Sequence, residues 1–388
     1  MENHGLTITI NTEHVLSNYA LFQDMCPDAE VAAVVKADAY GCGNGLIVPV
    51  LKQAQCRTFF VAHLREAIEL RKHVSAGEIY VLNGLMPETE AAYYNFCLKP
   101  VVTSQKQLFN WINFCRREKW NGGAALHIDT GINRLGFKLD EISKLGDLSP
   151  KDLGLFDLVL SHFACADELE NHRNSLQIEA FTWARRFLSA VPRASLASSA
   201  GCFLGKQAHF DMVRPGIGLF GGNPFATRAS PFKPVSAAFA PLLQVKLHRA
   251  GEFVGYGSGW QLQADTLVGV ISVGYADGLP RRATAKPLNF YFGRTAIPAL
   301  GRVSMDMTLV DLTAIAGMKP GNGDMVEIFG ENRCVNAFAA ALDTIPNEVM
   351  TAFARRAKYR TAAQILDVAP YASLHRPVFQ QAQSFLTN

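Results

Sequence analysis

The sequence predicts an α/β protein in two parts, an N-terminal (β/α)8 TIM-type barrel and a C-terminal, mostly antiparallel β domain. Up to about residue 222, short apolar runs alternate with amphipathic segments, as repeated βα units require. The breaker-rich stretch NPFATRASPFKP follows at 223–234, and the later apolar runs are short and separated by turns. We therefore expect a barrel over 12–232 and a β domain over 233–388.

The first part contains eight apolar runs, which is the strand count of a (β/α)8 barrel. Between them lie segments such as LREAIELRKHV and NSLQIEAFTWARRFL, in which apolar residues recur three and four positions apart and so predict helices. The runs occupy 30–36, 58–63, 78–84, 99–104, 123–129, 157–162, 193–199 and 211–220.

The second part carries runs such as TLVGVISVGYADG and TAIPALGRVSMDMTLVDL, whose lengths and turn residues are typical of antiparallel strands. Near the start of the chain, LTITIN alternates apolar and polar residues ahead of the first barrel run. We expect this N-terminal strand, within 5–11, to pair with the β domain.

Composition excludes several classes of protein. The formal charge of +3 over 388 residues gives no reason to expect a nucleic acid or an anionic membrane as partner. No stretch reaches the roughly 18 apolar residues of a membrane span, and the N-terminus has no signal-peptide pattern, so we expect a cytoplasmic protein. The eight cysteines form no C-x-x-C pair, which indicates reduced thiols and no metal site.

Polar side chains lie at the ends of several barrel runs, where the active sites of such barrels are built. Lys36 ends the first run, His162 ends the sixth, and Ser199 and Arg214 lie in the last two. Each of these residues alone has an ordinary structural explanation, such as a solvated lysine, a core histidine or a helix N-cap. Together they would meet at one mouth of the barrel.

The last run also contains RPGIG, which brings the backbone N–H groups of Gly216 and Ile217 close together. Barrels often bind a phosphate at this position. A phosphate cradle near the eighth run and an amine at the end of the first fit pyridoxal phosphate, a phosphorylated aldehyde that a lysine binds covalently.

Eight short motifs follow one another along nearly the whole chain. They are VVKADAYG (34–41), DTGINRLGF (129–137), SHFACAD (161–167), SSA (198–200), VRPGIGLFG (213–221), GYGSGW (255–260), VGYADGLPR (273–281) and GRVSMD (301–306). In this order they resemble the motifs of the alanine racemases, a fold type III family of pyridoxal phosphate enzymes. A single motif would be a moderate signal, whereas the ordered set is a specific one.

The resemblance implies an isomerase that interconverts L- and D-alanine, by analogy for peptidoglycan precursors, with two bases on opposite faces of the substrate. Lys36 would bind the cofactor covalently and act as one base, which requires that the cationic groups of the barrel mouth lower its pKa. Tyr256 would be the opposite base, a role for which a phenol needs cationic neighbours. His162 and Arg214 resemble residues that hydrogen-bond in a chain to this tyrosine.

The resemblance also assigns the binding residues. Arg214 would face the pyridine nitrogen; because an arginine never accepts a hydrogen bond, the nitrogen stays unprotonated and transamination is disfavoured. Arg134 would bond the phenolic oxygen of the cofactor and lie near the substrate carboxylate, to which Met305 would offer its backbone N–H. The phosphate contacts would be Tyr40, Ser199, Gly216 and Ile217.

In this family, Tyr256, Tyr275 and Met305 reach the active site from the partner subunit. The resemblance therefore implies a homodimer with shared active sites, which no other feature of the sequence indicates.

Several positions depart from the family pattern. Cys42, Ser198 and Phe220 stand where histidine, asparagine and tyrosine are common and weaken no catalytic role, whereas His127 and Asn347 bear on the site. His127 precedes Asp129 by two residues, where many members have a lysine modified to a carbamate that orients the arginine. Histidine cannot carry this group stably, so Arg134 must be positioned differently. Asn347 replaces a tyrosine at the substrate entrance. Because asparagine is shorter and carries an amide, serine would be accepted better here than by members with tyrosine; the alternative is that neighbouring side chains or water refill the space and alanine selectivity is unchanged.

Two rivals stay open at this point. A fold type III amino-acid decarboxylase shares both domains, but such enzymes carry a cysteine-bearing loop where GRVSMD has none, and a glutamate where VRPGIG has arginine. A non-catalytic pyridoxal phosphate carrier has the same barrel, but it lacks a second β domain of the kind predicted over 235–365.

Overall fold

The computed structural model describes residues 5–225 and 227–361. The chain divides into two compact units, Glu13–Lys233 and the combination of Met1–Thr12 with Pro234–Asn388. The C-terminal domain predicted over 233–388 includes 362–388, which lie outside the described residues. The first strand of the chain is β1, Thr7–Ile10.

The unit Glu13–Lys233 is built on a ring of parallel strands. They are β2 (Glu30–Val31), β3 (Ala33–Val34), β4 (Thr58–Val61), β5 (Glu78–Val81), β6 (Lys99–Val102), β7 (Ala125–His127), β8 (Leu158–Leu160), β9 (Arg193–Ser195) and β10 (Met212–Val213). Strands β3 to β9 pair in chain order, and β10 pairs with β2, which continues into β3 as the first barrel strand. The backbone N–H groups of Asp211 and Arg214 donate to the carbonyls of Ala194 and Ala197, at 3.0 and 2.9 Å, so the ring closes. The predicted barrel is confirmed.

Helices surround these strands because their apolar faces pack inward. In α6, Leu108, Trp111, Ile112 and Cys115 are buried at helical spacing, and Ser104 caps the helix by accepting the N–H of Gln107. Among helices of the described residues, none is long and apolar enough to cross a membrane. The helices of this unit are α1 (Thr12–Met25), α2 (Lys36–Gly41), α3 (Asn44–Gln53), α4 (Leu64–Arg71), α5 (Glu90–Asn95), α6 (Gln105–Glu118), α7 (Ile142–Gly146), α8 (Pro150–Leu153), α9 (Arg173–Phe187) and α10 (Lys206–His209).

The N-terminal ends of the barrel strands are joined by charged groups. Lys99 contacts the carboxylates of Glu78 and Asp157, and Arg193 donates to Glu78 at 2.7 Å and to the Tyr80 hydroxyl at 2.8 Å. In barrels of this kind, this face serves stability and the opposite face carries the chemistry. The polar residues predicted as the site lie at the opposite face.

The other unit is mostly antiparallel sheet. Its strands are β1, β11 (Ser236–His248), β12 (Phe253–Val254), β13 (Trp260–Gln261), β14 (Thr266–Ile271), β15 (Asn289–Phe292), β16 (Thr295–Leu300), β17 (Thr308–Asp311), β18 (Met325–Phe329) and β19 (Lys358–Thr361). The long strand β11 pairs with β18 through its first half and with β14 through its second. Strands β17, β16 and β15 connect these two neighbours, so six strands form a closed antiparallel ring. Strand β1 pairs antiparallel with the start of β11.

Over residues 234–361, this unit also has two α-helices, α11 (Val335–Ala341) and α12 (Pro346–Phe353). They are anchored by the rings of Phe329, Phe338 and Phe353, whose centroids lie 5.5 to 5.9 Å apart. Proline at the first helical position of α12 fits because its missing N–H has no intrahelical partner there.

Candidate active site

Lys36 begins a left-handed turn. Residues 37–40, which follow it, all have φ between 52 and 55°. This conformation costs roughly 1–2 kcal/mol per residue for side chains other than glycine, so the turn needs tertiary support. The carboxylate of Asp38 accepts a backbone N–H from the start of α3 at 2.6 Å, and the carboxylate of Glu66 accepts the N–H of Ala37 at 2.7 Å.

The amine of Lys36 is half-buried and lies 5.9 Å from the centre of the Tyr40 ring. Burial lowers the pKa of Lys36, the guanidinium of Arg134 lowers it further, and the carboxylate of Glu66 opposes both. A lower pKa increases the neutral fraction that can accept a proton near pH 7. The sequence led us to expect cationic neighbours as the cause, but burial is the larger one.

Arg214 is a buried cation, 4% exposed, and it donates to the Ser195 hydroxyl and to the Ser161 carbonyl, both neutral. Burial lowers the pKa of Arg214 to about 10, so the guanidinium stays charged at neutral pH. Burial and then the charge of Arg214 lower the pKa of His162 to about 3, which leaves that imidazole neutral. Of this pair, only Arg214 can stabilise a neighbouring anion by charge.

Ser199 and the loop after β10 form a cradle of small groups. The Ser199 hydroxyl accepts the N–H of Gly216 at 2.9 Å and that of Gly218 at 3.2 Å. A Cβ at Gly216 would lie 2.4 Å from the Tyr40 hydroxyl oxygen, so glycine is required for this approach. Burial raises the pKa of Tyr40, which keeps its hydroxyl protonated and able to donate. Ile217 begins the 3-10 turn that follows.

Asp129 shapes the turn that carries Arg134. Its Oδ1 accepts the N–H groups of Gly131 and Asn133, each at 3.0 Å. Nearby, neither ring nitrogen of the buried His127 has a hydrogen-bond partner within the described residues. Burial lowers the pKa of His127 to about 4, so it is neutral at pH 7 and brings no negative charge. The backbone turn, rather than an anion at position 127, therefore places Arg134.

Tyr256, Tyr275 and Met305 lie in loops of the other unit. Tyr256 is in the turn between β12 and β13 and is 65% exposed. The N–H of Tyr275 donates to the Ser304 carbonyl at 3.0 Å. A Cβ at Gly274 would lie 2.3 Å from the Met305 carbonyl oxygen, so glycine allows these two loops to meet.

The loop of Tyr256 approaches the loop that carries Met305. A Cβ at Gly257 would lie 3.6 Å from the guanidinium of Arg302, in the loop that also carries Met305. A cavity of about 560 Å³ lies beside Tyr256 and is lined by Trp260 and by Arg281, Arg282 and Arg302. Tyr256 therefore lies beside a positively charged cavity, and Arg302, one of its lining residues, belongs to the loop that carries Met305.

Asn347 occupies the first turn of α12 and is half-buried. The backbone carbonyl of Asn347 accepts a hydrogen bond from the Thr351 hydroxyl at 2.7 Å. Further along the helix, a Cβ at Gly278 would lie 2.6 Å from the carbonyl carbon of Ala352. The helix is thereby held against the turn that follows Tyr275.

The predicted residues thus form two groups, one in each unit, and their roles remain predictions. The first group, at one mouth of the barrel, is Lys36, Tyr40, Arg134, His162, Ser199, Arg214, Gly216 and Ile217. The second group, in the β unit, is Tyr256, Tyr275, Met305 and Asn347.

Comparison with known proteins identifies the family. The family model for the alanine racemase N-terminal domain matches residues 10–224, and that for the C-terminal domain matches residues 235–361. The chain belongs to the alanine racemase family.

Individual members of the alanine racemase family align with nearly the whole chain. The alanine racemase of Acidiphilium cryptum is 40% identical over 91% of this chain and 98% of its own length. That of Methylobacterium nodulans is 38% identical over 90% of this chain and 94% of its own. The crystal structure of alanine racemase from Bartonella henselae, with covalently bound pyridoxal phosphate, has a TM-score of 0.84 at 33% identity and covers 92% of this chain and 99% of that one.

The barrel mouth of this alanine racemase family member fits pyridoxal phosphate. Lys36 offers an amine for the aldehyde, and the Gly216 cradle, which a Cβ would fill, offers N–H and hydroxyl donors for the phosphate. Arg214 offers a buried cation whose protein partners are neutral. These donors suit the aldehyde, the phosphate and the ring nitrogen of the cofactor.

We expect Gly216→Ala to weaken cofactor binding by about tenfold or more, because the added Cβ would displace the Tyr40 hydroxyl from the cradle. Gly45→Ala is the matched control, since a Cβ there meets nothing closer than 4.0 Å. Fluorescence titration of both cofactor-free variants with pyridoxal phosphate measures the difference. Equal affinities would place the phosphate elsewhere.

Sequence reasoning missed two residues that hold the site. Gln177, 3% exposed on α9, donates to the Thr130 hydroxyl and the His162 carbonyl, each at 3.0 Å, and accepts the N–H of Ala164 at 2.8 Å. The other is Glu66 on α4. For Gln177, a signal was available, because a polar residue on the buried face of a predicted helix needs a partner.

Proposed function

We propose that this chain is a pyridoxal phosphate-dependent alanine racemase, an isomerase that interconverts L- and D-alanine. The observation that carries the proposal is the barrel mouth, where the Lys36 amine, with its pKa lowered by burial, lies near the cation Arg134 and shares the mouth with a phosphate cradle. Family membership supports the same activity.

In this mechanism, the amine of Lys36 would hold the cofactor and, when it is free, would exchange a proton with one face of the substrate Cα. The bound cofactor withdraws electrons from Cα and so acidifies its hydrogen. Tyr256 exchanges a proton with the opposite face through its hydroxyl oxygen. Because the two proton carriers differ, a proton taken from one face is replaced from the other, and the configuration inverts.

The remaining barrel residues bind and orient. Tyr40, Ser199 and the N–H groups of Gly216 and Ile217 bind the phosphate. Arg214, which has no proton-accepting atom, would face the ring nitrogen of the cofactor and so favour its unprotonated form. His162, which is neutral at pH 7, links Arg214 to Tyr256 through a chain of hydrogen bonds. Arg134 and the N–H of Met305 bind the substrate carboxylate, and Tyr275 lies beside that carboxylate.

We further propose a homodimer in which the β unit of each chain completes the active site of the other. Soluble monomers rarely expose a large contiguous apolar patch. The loops around Tyr256 expose the large side chains Phe253, Tyr256, Trp260, Tyr275, Met305 and Met307. A second copy of the chain is the proposed cover. Sedimentation equilibrium should give twice the chain mass of 42.4 kDa, and a monomer would contradict the proposal.

We place the enzyme in the cytoplasm, where its D-alanine would supply peptidoglycan synthesis. All eight cysteines are free thiols, as a reducing compartment favours. Expression of the gene should allow a bacterium that lacks its own racemases to grow without added D-alanine. Growth that still needs D-alanine, with the soluble enzyme present, would reject this role.

The activity itself is tested with L-alanine in deuterated water. We expect deuterium to enter Cα while the optical rotation falls to zero. Release of carbon dioxide would instead identify a decarboxylase, and cofactor binding without any exchange would identify a carrier.

Asn347 bears on the substrate range. We expect Asn347→Tyr to lower the ratio of serine to alanine kcat/KM several-fold, because the ring fills the space of a β-hydroxyl and removes its amide partner, a loss of about 1 kcal/mol. Asn347→Gln, which keeps the amide, is the control. A ratio that does not fall in the tyrosine variant means that other groups fill this space and that serine is not accommodated by Asn347.

A further inference from the structure

Glu66 joins the turn that carries Lys36 to the start of α4. Its Oε1 accepts the N–H of Ala37 at 2.7 Å, and its Oε2 accepts those of Ala62 and His63 at 2.8 and 3.0 Å. The two bonds to Oε2 are the usual cap of a helix N-terminus. The bond to Ala37 is different, because it spans 29 residues of sequence and fixes the peptide plane directly after Lys36.

The hydrogen bond from Ala37 to Glu66 lies at the start of the segment whose backbone conformation is least favourable. Ala37 is the first of four consecutive left-handed residues, and the direction of the Lys36 side chain depends on the peptide that starts this turn. Without Glu66, the N–H of Ala37 would lose a charge-assisted hydrogen bond. The carboxylate therefore holds the lysine turn as well as capping the helix.

Glu66 also supplies negative charge to the lysine. The titratable and charged groups that interact with Lys36 are Tyr40 on its own segment, Arg134 after β7, His162 after β8 and Glu66 at the start of α4. Tyr40 and His162 are neutral, and the Asp38 carboxylate binds the N–H of Asn44 at 2.6 Å. Arg134 lowers the proton affinity of the amine, and Glu66 raises it.

We propose that Glu66 is a positioning residue that holds the Lys36 turn and provides the negative charge that balances Arg134 at the Lys36 amine. The functional consequence rests on the proposed role of Lys36. The balance of charge at Lys36 matters more in this chain than in family members that carry a carbamate at the position of His127, because His127 is neutral.

The test compares Glu66→Gln and Glu66→Asp with Glu69→Gln, which removes an exposed charge one turn along the same helix. Trace acetylation of the full-length, cofactor-free protein over a pH series, read at Lys36 by mass spectrometry, gives the pKa of the amine. Removing a negative charge destabilises the ammonium form, so we expect this pKa to fall in Glu66→Gln by roughly one unit. Glu66→Asp keeps a more distant charge and should show a smaller fall, and Glu69→Gln should show none.

In the holoenzyme, the acid limb of the kcat profile for D-alanine should also move to lower pH, because Lys36 must be neutral to accept the proton. A lower melting temperature with no shift at Lys36 would make Glu66 a helix cap only and overturn the proposal. Equal shifts in the glutamine and aspartate variants would also overturn it. If Glu66→Gln does not fold, a downward shift in Glu66→Asp supports the proposal and an unchanged value rejects it.

This result is separable from the proposed function. The acetylation measurement needs no cofactor, so it stands even if the cofactor is found on another lysine.

Discussion

Lys36→Ala should abolish covalent cofactor binding and lower alanine racemisation by roughly 10³-fold or more. The substitution removes both the amine that holds the cofactor and one of the two proton carriers, and general-base removal alone typically costs 10²–10⁴-fold. The barrel should stay folded, because the side chain of Lys36 is half-buried and the turn that follows is held by Glu66 and Asp38.

Borohydride reduction of the holoenzyme makes the covalent link permanent, and peptide mass spectrometry then locates it. We expect the added mass on the peptide that contains Lys36 in the wild type and no added mass in Lys36→Ala. Lys52→Ala is the control, because Lys52 lies on α3 of the same unit and donates to the His73 carbonyl at 3.0 Å. A cofactor attached to another lysine in the wild type would contradict the assignment.

How much of this site the sequence could predict depends on the range of the interactions. The barrel strands were predictable because each apolar run is local, and β4, β5 and β6 begin at Thr58, Glu78 and Lys99, the first residues of their predicted runs. The position of Lys36 at the end of the first run was predictable for the same reason, while its role stays a prediction.

The shape of the Lys36 turn was not predictable. ADAY at 37–40 contains no glycine, so nothing in the local sequence indicates four left-handed residues. The carboxylate of Glu66, which supports the turn, belongs to a helix in the next βα unit. The charge of His162 was also beyond sequence reasoning, because it depends on burial and on Arg214, 52 positions later.

The surroundings of Tyr256 show the same limit in the β unit. Its turn, GYGSG, is short and rich in glycine, so a turn is visible in the local sequence, but the approach of Arg302 depends on a separate loop. The closed ring that supports both loops depends on β11 changing partners between its two halves, which no local pattern encodes.

Tyr256→Phe should keep the fold and the bound cofactor, yet lower racemisation by roughly 10²-fold or more, because the ring remains and only the proton-carrying oxygen is lost. The loss should differ between enantiomers. With Lys36 intact, D-alanine should still exchange its Cα hydrogen in deuterated water without inversion, whereas exchange into L-alanine should be nearly lost. Tyr291→Phe, on β15 of the same unit, is the control. Equal loss of exchange for both enantiomers would contradict an opposite-face role.

Mixing the two inactive variants tests whether the bases come from different chains. If the active site is shared, a dimer of one Lys36→Ala chain and one Tyr256→Phe chain has one site with both residues intact. Random re-pairing makes half of the dimers mixed, so the mixture should recover about a quarter of wild-type activity. Bases from a single chain would leave every site with one residue missing, and the mixture would stay as inactive as its parents. The recovery therefore shows directly which chain supplies the Tyr256 hydroxyl to each Lys36.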